Sequence, residues 1–126
     1  MEVENAITKI INCAYTVHKQ LSIGFAENVY KNAMVIEMRE QGLSVKTEMP
    51  FEVMYKGRVV GSYRADIVVE DKVILELKAV HSLAVAHEIQ LVNYLTALHI
   101  DYGLLINFGS ELITIKRKYR TYRKAH

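Results

Sequence analysis

Two short apolar segments, 66–69 and 73–78, flank a charged turn and most strongly constrain how this chain folds. They are typical of a β-hairpin, and their apolar residues favour central strands that are buried on both faces of a sheet. Asp66, Glu76 and Lys78 interrupt the apolar pattern. Since burying a charge is costly unless it is paired or bound to an ion, the two carboxylates need compensation at this hairpin.

The register of the hairpin decides whether those carboxylates meet. If Val69 faces Val73 across a three-residue turn, this pair fixes which residues face each other along the rest of the two strands. Asp66 then falls opposite Glu76, and Lys78 lies on the same face because side chains alternate along a strand. Like charges opposite each other repel, whereas a Mg²⁺ or Mn²⁺ ion between them reverses the sign of that interaction. This register predicts a metal site; a one-residue slip, or an ordinary charged surface cluster, is the alternative.

The composition bounds the class of protein. The chain has 126 residues, of which 51% are hydrophobic and 24% charged, so we expect one soluble globular domain. No apolar run approaches the ~20 residues of a membrane span, and the acidic start differs from a signal peptide. The single cysteine, Cys13, excludes an internal disulfide and sits in an apolar helical pattern. We therefore expect a cytoplasmic protein without a membrane partner, with Cys13 in its core.

The end of the chain is strongly basic. Six basic residues and no acid lie between positions 116 and 126: Lys116, Arg117, Lys118, Arg120, Arg123 and Lys124. A basic segment interleaved with tyrosines, beside a net acidic body, favours contact with a polyanion such as nucleic acid. A solvated, frayed terminus explains it equally well. We divide the chain into a domain of residues 1–117 and a basic tail of residues 118–126.

Hydrophobic periodicity predicts helices and strands around one sheet. The expected helices cover about 3–20, 26–41 and 83–98. Besides the hairpin, the expected strands cover 43–49, 51–55, 58–63, 102–107 and 111–116. Because helical segments occur both before and after the hairpin, we expect an α/β or α+β fold with a central mixed sheet flanked by helices.

Polar residues on the helices give further candidates. His87, Gln90 and Tyr94 fall within one stripe of the third helix, which begins soon after Lys78. This stripe either faces the end of the carboxylate strand or is a solvated helix face. Glu27, in the first turn of the second helix, is favoured there by the helix dipole alone.

Two motifs make the chain resemble a known family. Asp66, separated by nine residues from Glu76-Leu77-Lys78, resembles the D-x(n)-(D/E)-x-K signature of the PD-(D/E)XK, or restriction-endonuclease-like, nuclease superfamily. Gly24-x-x-Glu27-x-x-Tyr30 matches the name-giving motif of the GxxExxY proteins, a prokaryotic family of that superfamily. Further segments resemble that family in the same order: 17–18, 63–66, 76–79, 87–91 and 104–108. The resemblance covers about residues 5–117.

The resemblance implies a restriction-endonuclease-like core of order α-β-β-β-α-β with an extra N-terminal helix. It also implies a phosphodiesterase site that depends on Mg²⁺ or Mn²⁺. Carried over by position, Asp66, Glu76 and the Leu77 carbonyl are metal ligands, and Glu27 is a further ligand, direct or through water. Lys78 activates the attacking water and stabilises the phosphate.

The resemblance also implies supporting roles and a substrate. Gln90 positions water or phosphate with the help of Tyr94. His18, His87 and Tyr30 support the site. The implied activity is a nuclease acting on nucleic acid, with DNA as the expected substrate, and the small size calls for a homodimer or a partner protein.

Two other functions remain open. The first is a non-catalytic module that binds nucleic acid or a protein and keeps the nuclease fold. The second is a structural protein in which Arg64 and Lys78 neutralise the carboxylates through ion pairs. The latter predicts that Glu27 lies far from Asp66.

Overall fold

The computed structural model describes residues 1–121, which form three helices and five strands. The helices are α1 (Val3–Leu21), α2 (Glu27–Glu40) and α3 (Val85–Leu98). The strands are β1 (Val45–Tyr55), β2 (Arg58–Val69), β3 (Val73–Lys78), β4 (Tyr102–Asn107) and β5 (Thr114–Tyr119). The fold is α+β with the extra helix at its N-terminus, as predicted.

The five strands form one mixed sheet in the order β1-β2-β3-β4-β5. β1, β2 and β3 pair antiparallel, β3 and β4 pair parallel, and β5 is antiparallel to β4. Parallel neighbours need a long crossover connection, which α3 supplies between β3 and β4. The carboxyl ends of β3 and β4 therefore lie side by side, and both Lys78 and Asn107 are found there.

Helices cover both faces of the sheet. Residues of α1 and α2 share one apolar core with Ile67, Leu75 and Leu77, whereas α3 shares a second core with Val68 and Ile74. The central strands are thus buried on both faces, as their unbroken apolar runs predicted. Cys13 is buried in the first core, also as predicted.

The strands differ from their predicted bounds in three places, of which the first is that β2 joins the predicted strands 58–63 and 66–69. The predicted strands 43–49 and 51–55 are one continuous strand, because β1 is an edge strand in which the missing N–H of Pro50 is tolerated. β5 covers Thr114–Tyr119 instead of 111–116, so Lys116, Arg117 and Lys118 belong to the sheet. Within residues 1–121, no helix is long and apolar enough to cross a membrane.

Candidate functional site

The hairpin of β2 and β3 has the register on which the metal-site prediction depends. Val69 pairs with Val73, and the pairing continues to Ile67 opposite Leu75. Leu75 and Leu77 both face the α1/α2 core, so Glu76 between them points to the α3 side. Asp66 lies between Ala65, which is part of the α3-side core, and Ile67, which is part of the α1/α2 core, so the strand does not alternate regularly at this position. That Asp66 and Glu76 share a face stays a prediction.

Glu76 is the most unusual charged residue of the site. Its side chain is only 4% exposed, and its Oε1 atom is buried without a hydrogen-bond partner among the described residues. Burial raises the pKa of Glu76 to about 8, and the negative charge of Asp66 adds to the shift, while Lys78 opposes it. A desolvated carboxylate oxygen beside a second carboxylate is an arrangement that a cation stabilises.

Glu27 joins this pair from the first turn of α2. Burial raises the pKa of Glu27; the charge of Lys78 opposes that shift and the charge of Asp66 adds to it. Glu27 in turn contributes to the raised pKa of Glu76. Glu27 is thus within electrostatic range of Asp66 and Glu76, although no hydrogen bond joins these carboxylates in residues 1–121. We call Glu27, Asp66 and Glu76 the carboxylate cluster.

The loop between α1 and α2 explains how Glu27 is positioned. Gly24 adopts a φ of 110°, which favours glycine. The hydroxyl of the buried Tyr30 donates a hydrogen bond to the Ser22 carbonyl at 2.6 Å and accepts one from the Phe25 N–H at 3.3 Å. Its ring stacks on Phe108 with a centroid distance of 4.9 Å. Gly24 and Tyr30 thus fix the turn that presents Glu27.

Lys31 is a site residue that the sequence analysis missed. Its Nζ forms an ion pair with Glu48 and lies 3.9 Å from Oδ1 of Asp66. Lys31 follows Glu27 by four residues, so the two share a face of α2. That spacing was the available signal. Lys31 supplies part of the compensation for the carboxylate cluster.

Asn107 holds the chain where it leaves β3, and the sequence analysis gave it no role. Its Oδ1 accepts hydrogen bonds from the Val80 and Gly109 N–H groups, both at 3.0 Å, and its Nδ2 donates to the Val80 carbonyl at 2.9 Å. A Cβ atom at Gly109 would lie 2.3 Å from the Val80 nitrogen, so only glycine fits there. The Phe108 N–H also donates to the Lys78 carbonyl at 2.8 Å. Together these contacts fix the backbone beside Lys78.

The polar stripe of α3 faces the carboxylate cluster. The Gln90 amide donates to the Tyr94 hydroxyl at 3.2 Å. Burial raises the pKa of Tyr94, and the charge of Glu76 adds to this shift, so the two side chains are near each other. The His87 Nδ1 accepts a hydrogen bond from the Ala84 N–H at 3.1 Å, and the charge of His87 acts on the pKa of Glu27. The three side chains of the stripe are partly buried, so the stripe is not a fully solvated helix face. That it serves the carboxylate site stays a prediction.

His18 lies on the side of the sheet that α1 covers. Its Nε2 is 2.9 Å from the Ser110 carbonyl oxygen, and its ring centroid is 6.4 Å from that of Phe108. Its contacts therefore link α1 to the loop after β4.

The basic residues of β5 lie in ion pairs. Lys116 and Lys118 both bond to Glu88 at 3.1 Å. Arg117 pairs with Glu4 at 2.5 Å, and Arg120 pairs with Asp101 at 2.8 Å. Arg123 and Lys124 lie outside the described residues. For Lys116, Arg117, Lys118 and Arg120, internal acids already provide the negative partner.

The donor set suits a hard divalent cation, although no preformed cluster of three ligating side chains is present among residues 1–121. Every candidate donor is an oxygen, as Mg²⁺ and Mn²⁺ prefer. The unpartnered Oε1 of Glu76 is the observation that fits such an ion. Neither Arg64 nor Lys78 forms an ion pair with these carboxylates in the described part of the chain. The structural alternative, which required those pairs and a distant Glu27, is therefore disfavoured.

Comparisons with known proteins agree with this geometry. A sequence model of the PD-(D/E)XK nuclease superfamily matches residues 4–121. The fold resembles that in the crystal structure of SSO0001, with a TM-score of 0.63 and 19% identity, over 77% of this chain and 52% of that one. The chain thus spans about half the length of that protein, and the likeness concerns the fold alone. No curated protein matches the sequence.

Proposed function

Because the chain belongs to the PD-(D/E)XK nuclease superfamily and has a restriction-endonuclease-like fold, we propose that it is a metal-dependent nuclease that hydrolyses phosphodiester bonds in DNA. The observation that carries the proposal is Glu76, a buried carboxylate with an unpartnered oxygen beside Asp66. Such a group weakens the metal-free fold at neutral pH, which a purely structural role does not require.

Asp66, Glu76 and the Leu77 carbonyl would hold a Mg²⁺ or Mn²⁺ ion, with Glu27 as a further ligand, direct or through water. All of these donors are oxygens, and when all three carboxylates are ionised their negative charge exceeds the positive charge of Lys31 and Lys78 by one, which a bound cation would offset. When bound, the ion supplies charge neutralisation at the phosphate and a water of lowered pKa.

The remaining polar residues orient the reactants. The Lys78 ammonium, on the same face of β3 as Glu76, holds the attacking water and stabilises the charge that develops on phosphate. The Gln90 amide, supported by the Tyr94 hydroxyl, positions water or a phosphate oxygen. His87 contacts phosphate from the start of α3. We assign His18 and Tyr30 to support of the loops around the site.

Assignment to the GxxExxY family is part of the proposal. It rests on Gly24, Glu27 and Tyr30, whose contacts give each motif residue a physical reason. Gly24 allows the backbone conformation of the turn, Tyr30 holds the turn through its hydrogen bonds, and the turn positions Glu27. We further propose a cytoplasmic setting, consistent with the single buried Cys13, and action as a homodimer or with a partner protein.

Lys31 favours a second candidate function. Its contacts with Asp66 and Glu48 compensate part of the negative charge without a metal. A non-catalytic module that binds nucleic acid or a protein would retain the same fold with this compensation. The two candidates differ in one property, which is metal-dependent cleavage.

The test is a cleavage assay on purified protein. Single- and double-stranded DNA and RNA are incubated with Mn²⁺, with Mg²⁺ or with EDTA, beside a Glu76→Ala variant. Glu88→Ala is the matched control, because Glu88 pairs with Lys116 and Lys118 away from the carboxylate cluster. We expect metal-dependent cleavage by the wild type and the control, and none by Glu76→Ala. Equal cleavage by all three proteins would place the activity elsewhere, and no cleavage by any would favour the non-catalytic module.

A further inference from the structure

The hairpin of β1 and β2 extends well beyond the rest of the sheet. β3 pairs with β2 only from Ile67 to Val69, so residues 49–55 and 58–65 pair with each other alone. We call this projecting part the arm. Between the arm and α3 runs an open groove of about 740 Å³, lined by Phe51, Tyr63, Gln90 and Tyr94 among others. We call it the arm groove.

Aromatic rings form the wall of the arm groove. The rings of Phe51 and Tyr63 stack across the two strands at 5.8 Å, and Tyr94 meets them at 4.8 and 5.8 Å. Phe51 is 9% exposed, whereas Tyr63 is 48% exposed and keeps ring surface in contact with solvent. Ile89, an apolar residue of α3 that also lines the groove, is 55% exposed. An exposed aromatic ring on an apolar wall is a surface on which an unstacked nucleobase can stack.

The charges of the arm suit a polyanion. The arm carries Lys56, Arg58 and Arg64 against one acid, Glu52. None of these cations forms an ion pair with another residue in the range 1–121. The cations of β5, in contrast, are paired with internal acids. Arg64 borders a second open cavity that shares Phe51, Glu52 and Tyr63 with the arm groove.

The arm groove leads to the carboxylate cluster. Gln90 and Tyr94 line the groove and are hydrogen-bonded to each other. Tyr94 packs against the core on the α3 side of the sheet, which is the side to which Glu76 points. A strand in the groove would therefore run from the aromatic wall to the site proposed for hydrolysis.

We propose that the arm groove binds a single-stranded segment of nucleic acid, with bases against Tyr63 and with the backbone passing round the arm into the second cavity, which borders both Tyr63 and Arg64. This inference rests on the proposed function, for which it names the form of the substrate. Bases within a duplex are stacked on one another and hide their faces, whereas unpaired bases expose them to aromatic side chains. An aromatic wall therefore contributes affinity for a single strand that it cannot contribute for a blunt duplex.

The first test measures binding of wild-type protein in EDTA, where cleavage is absent. The probes are a fluorescent twelve-nucleotide oligothymidine, an abasic strand of equal length and charge, and a blunt duplex of twelve base pairs. We expect the oligothymidine to bind at least about five-fold more tightly than the abasic strand. Binding of the abasic strand or the duplex as tightly as the oligothymidine would overturn the inference.

Variants locate the binding surface. Tyr63→Ala should remove most of the preference for bases, while Tyr63→Phe should keep it. Tyr15→Ala, which removes an equally exposed tyrosine from α1, is the control and should change nothing. An unchanged base preference in folded Tyr63→Ala would contradict the inference.

Arg64→Ala keeps the test decisive if Tyr63→Ala does not fold, because Arg64 is exposed. It should lower the slope of log K against log salt by about 0.7, with Lys19→Ala on α1 as the control. An unchanged slope for Arg64→Ala would count against the arm groove. Base-selective binding without cleavage would support single-strand binding in the arm groove and contradict the proposed nuclease activity. Cleavage without base-selective binding would support the nuclease activity and contradict single-strand binding in the arm groove.

Discussion

The pKa of an acid is shifted in opposite directions in the carboxylate cluster and beside β5, where Glu88 pairs with Lys116 and Lys118. At β5, the hydrogen bonds from Lys118 and Lys116 lower the pKa of Glu88. In the cluster, burial and the neighbouring Asp66 raise the pKa of Glu76 to about 8. Glu88 thus favours its charged form in the folded state, while the buried Glu76 disfavours it.

The difference separates charges that support the fold from charges that oppose it. The ion pairs of β5 connect strand to helix, as Arg117 does with Glu4 of α1, and they lie at the surface where water screens them. Glu76 costs stability in the metal-free protein, because its oxygen is desolvated without a hydrogen bond. A residue that weakens the fold in this way is a candidate for function.

The largest expected effect is the loss of cleavage in Lys78→Ala. We expect turnover to fall by about 10³-fold, because the charge that stabilises the phosphate is lost. Metal binding should persist or tighten, since a cation beside the carboxylates is removed. Lys118→Ala, which removes a paired lysine of β5, should leave turnover unchanged. Single-turnover rates and metal titration calorimetry measure the two effects. An equal loss of turnover in Lys78→Ala and Lys118→Ala would contradict the distinction between the carboxylate cluster and the paired lysines of β5.

The pH dependence of stability should differ in sign between the two regions. Because the pKa of Glu76 is raised from 4.5 to about 8, its cost is absent below pH 4.5 and grows as the pH rises to 8. Glu76→Gln should therefore stabilise the metal-free protein by about 3–5 kcal/mol above pH 8, and by little at pH 4.5.

For Glu88, the contribution to stability changes with pH in the opposite direction. Its pKa is lowered, so the stability it contributes is present above its unfolded pKa and is lost as the pH falls through its folded pKa. Glu88→Gln should thus destabilise slightly at neutral pH. Urea unfolding at pH 4.5, 7 and 8.5 measures both variants, and a destabilised Glu76→Gln at pH 8.5 would show that the buried carboxylate supports the fold.

Metal should stabilise the protein through the cluster alone. At a Mg²⁺ or Mn²⁺ concentration ten times the dissociation constant, the free energy of unfolding should rise by about 1.4 kcal/mol. Glu76→Ala should lose most of this gain, and Glu88→Ala should keep it. Thermal melts with and without metal provide the measurement; no shift in the wild type, together with no heat in a Mn²⁺ titration, would count against a metal site.

Gln90→Ala should have a smaller effect on turnover than Lys78→Ala. A neutral amide orients a water or phosphate through one hydrogen bond, so its loss should slow cleavage by about ten-fold. Metal affinity should not change, because Gln90 is not among the proposed ligands. A loss as large as that of Lys78→Ala would give Gln90 a more central role than we assign.

The smallest effect concerns the end of the chain. Deleting residues 122–126 removes Arg123 and Lys124 but spares β5 and its ion pairs. If these two cations contact nucleic acid, the deletion should flatten the salt dependence of binding by at most about 1.8. An unchanged slope would show that Arg123 and Lys124 do not contact nucleic acid, and the arm would then be the main basic surface.

The sequence by itself predicted the hairpin but not its register. A one-residue slip exchanges the two faces of a strand, and the structure decided for the register in which Val69 pairs with Val73 and Ile67 with Leu75. The double burial of β2 and β3 followed from their unbroken apolar runs. Gly24, Glu27 and Tyr30 were found through their motif, although their contacts were not.

Only the tertiary structure decided which distant residues meet the hairpin. Lys31 lies 3.9 Å from Asp66 only because α2 packs against the sheet, and the pairing of Lys118 with Glu88 depends on where β5 lies beside α3. The arm arises because β1 and β2 are longer than the strand beside them. These outcomes depend on how elements pack against one another, and the periodicity of a single segment carries no information about its neighbours in space.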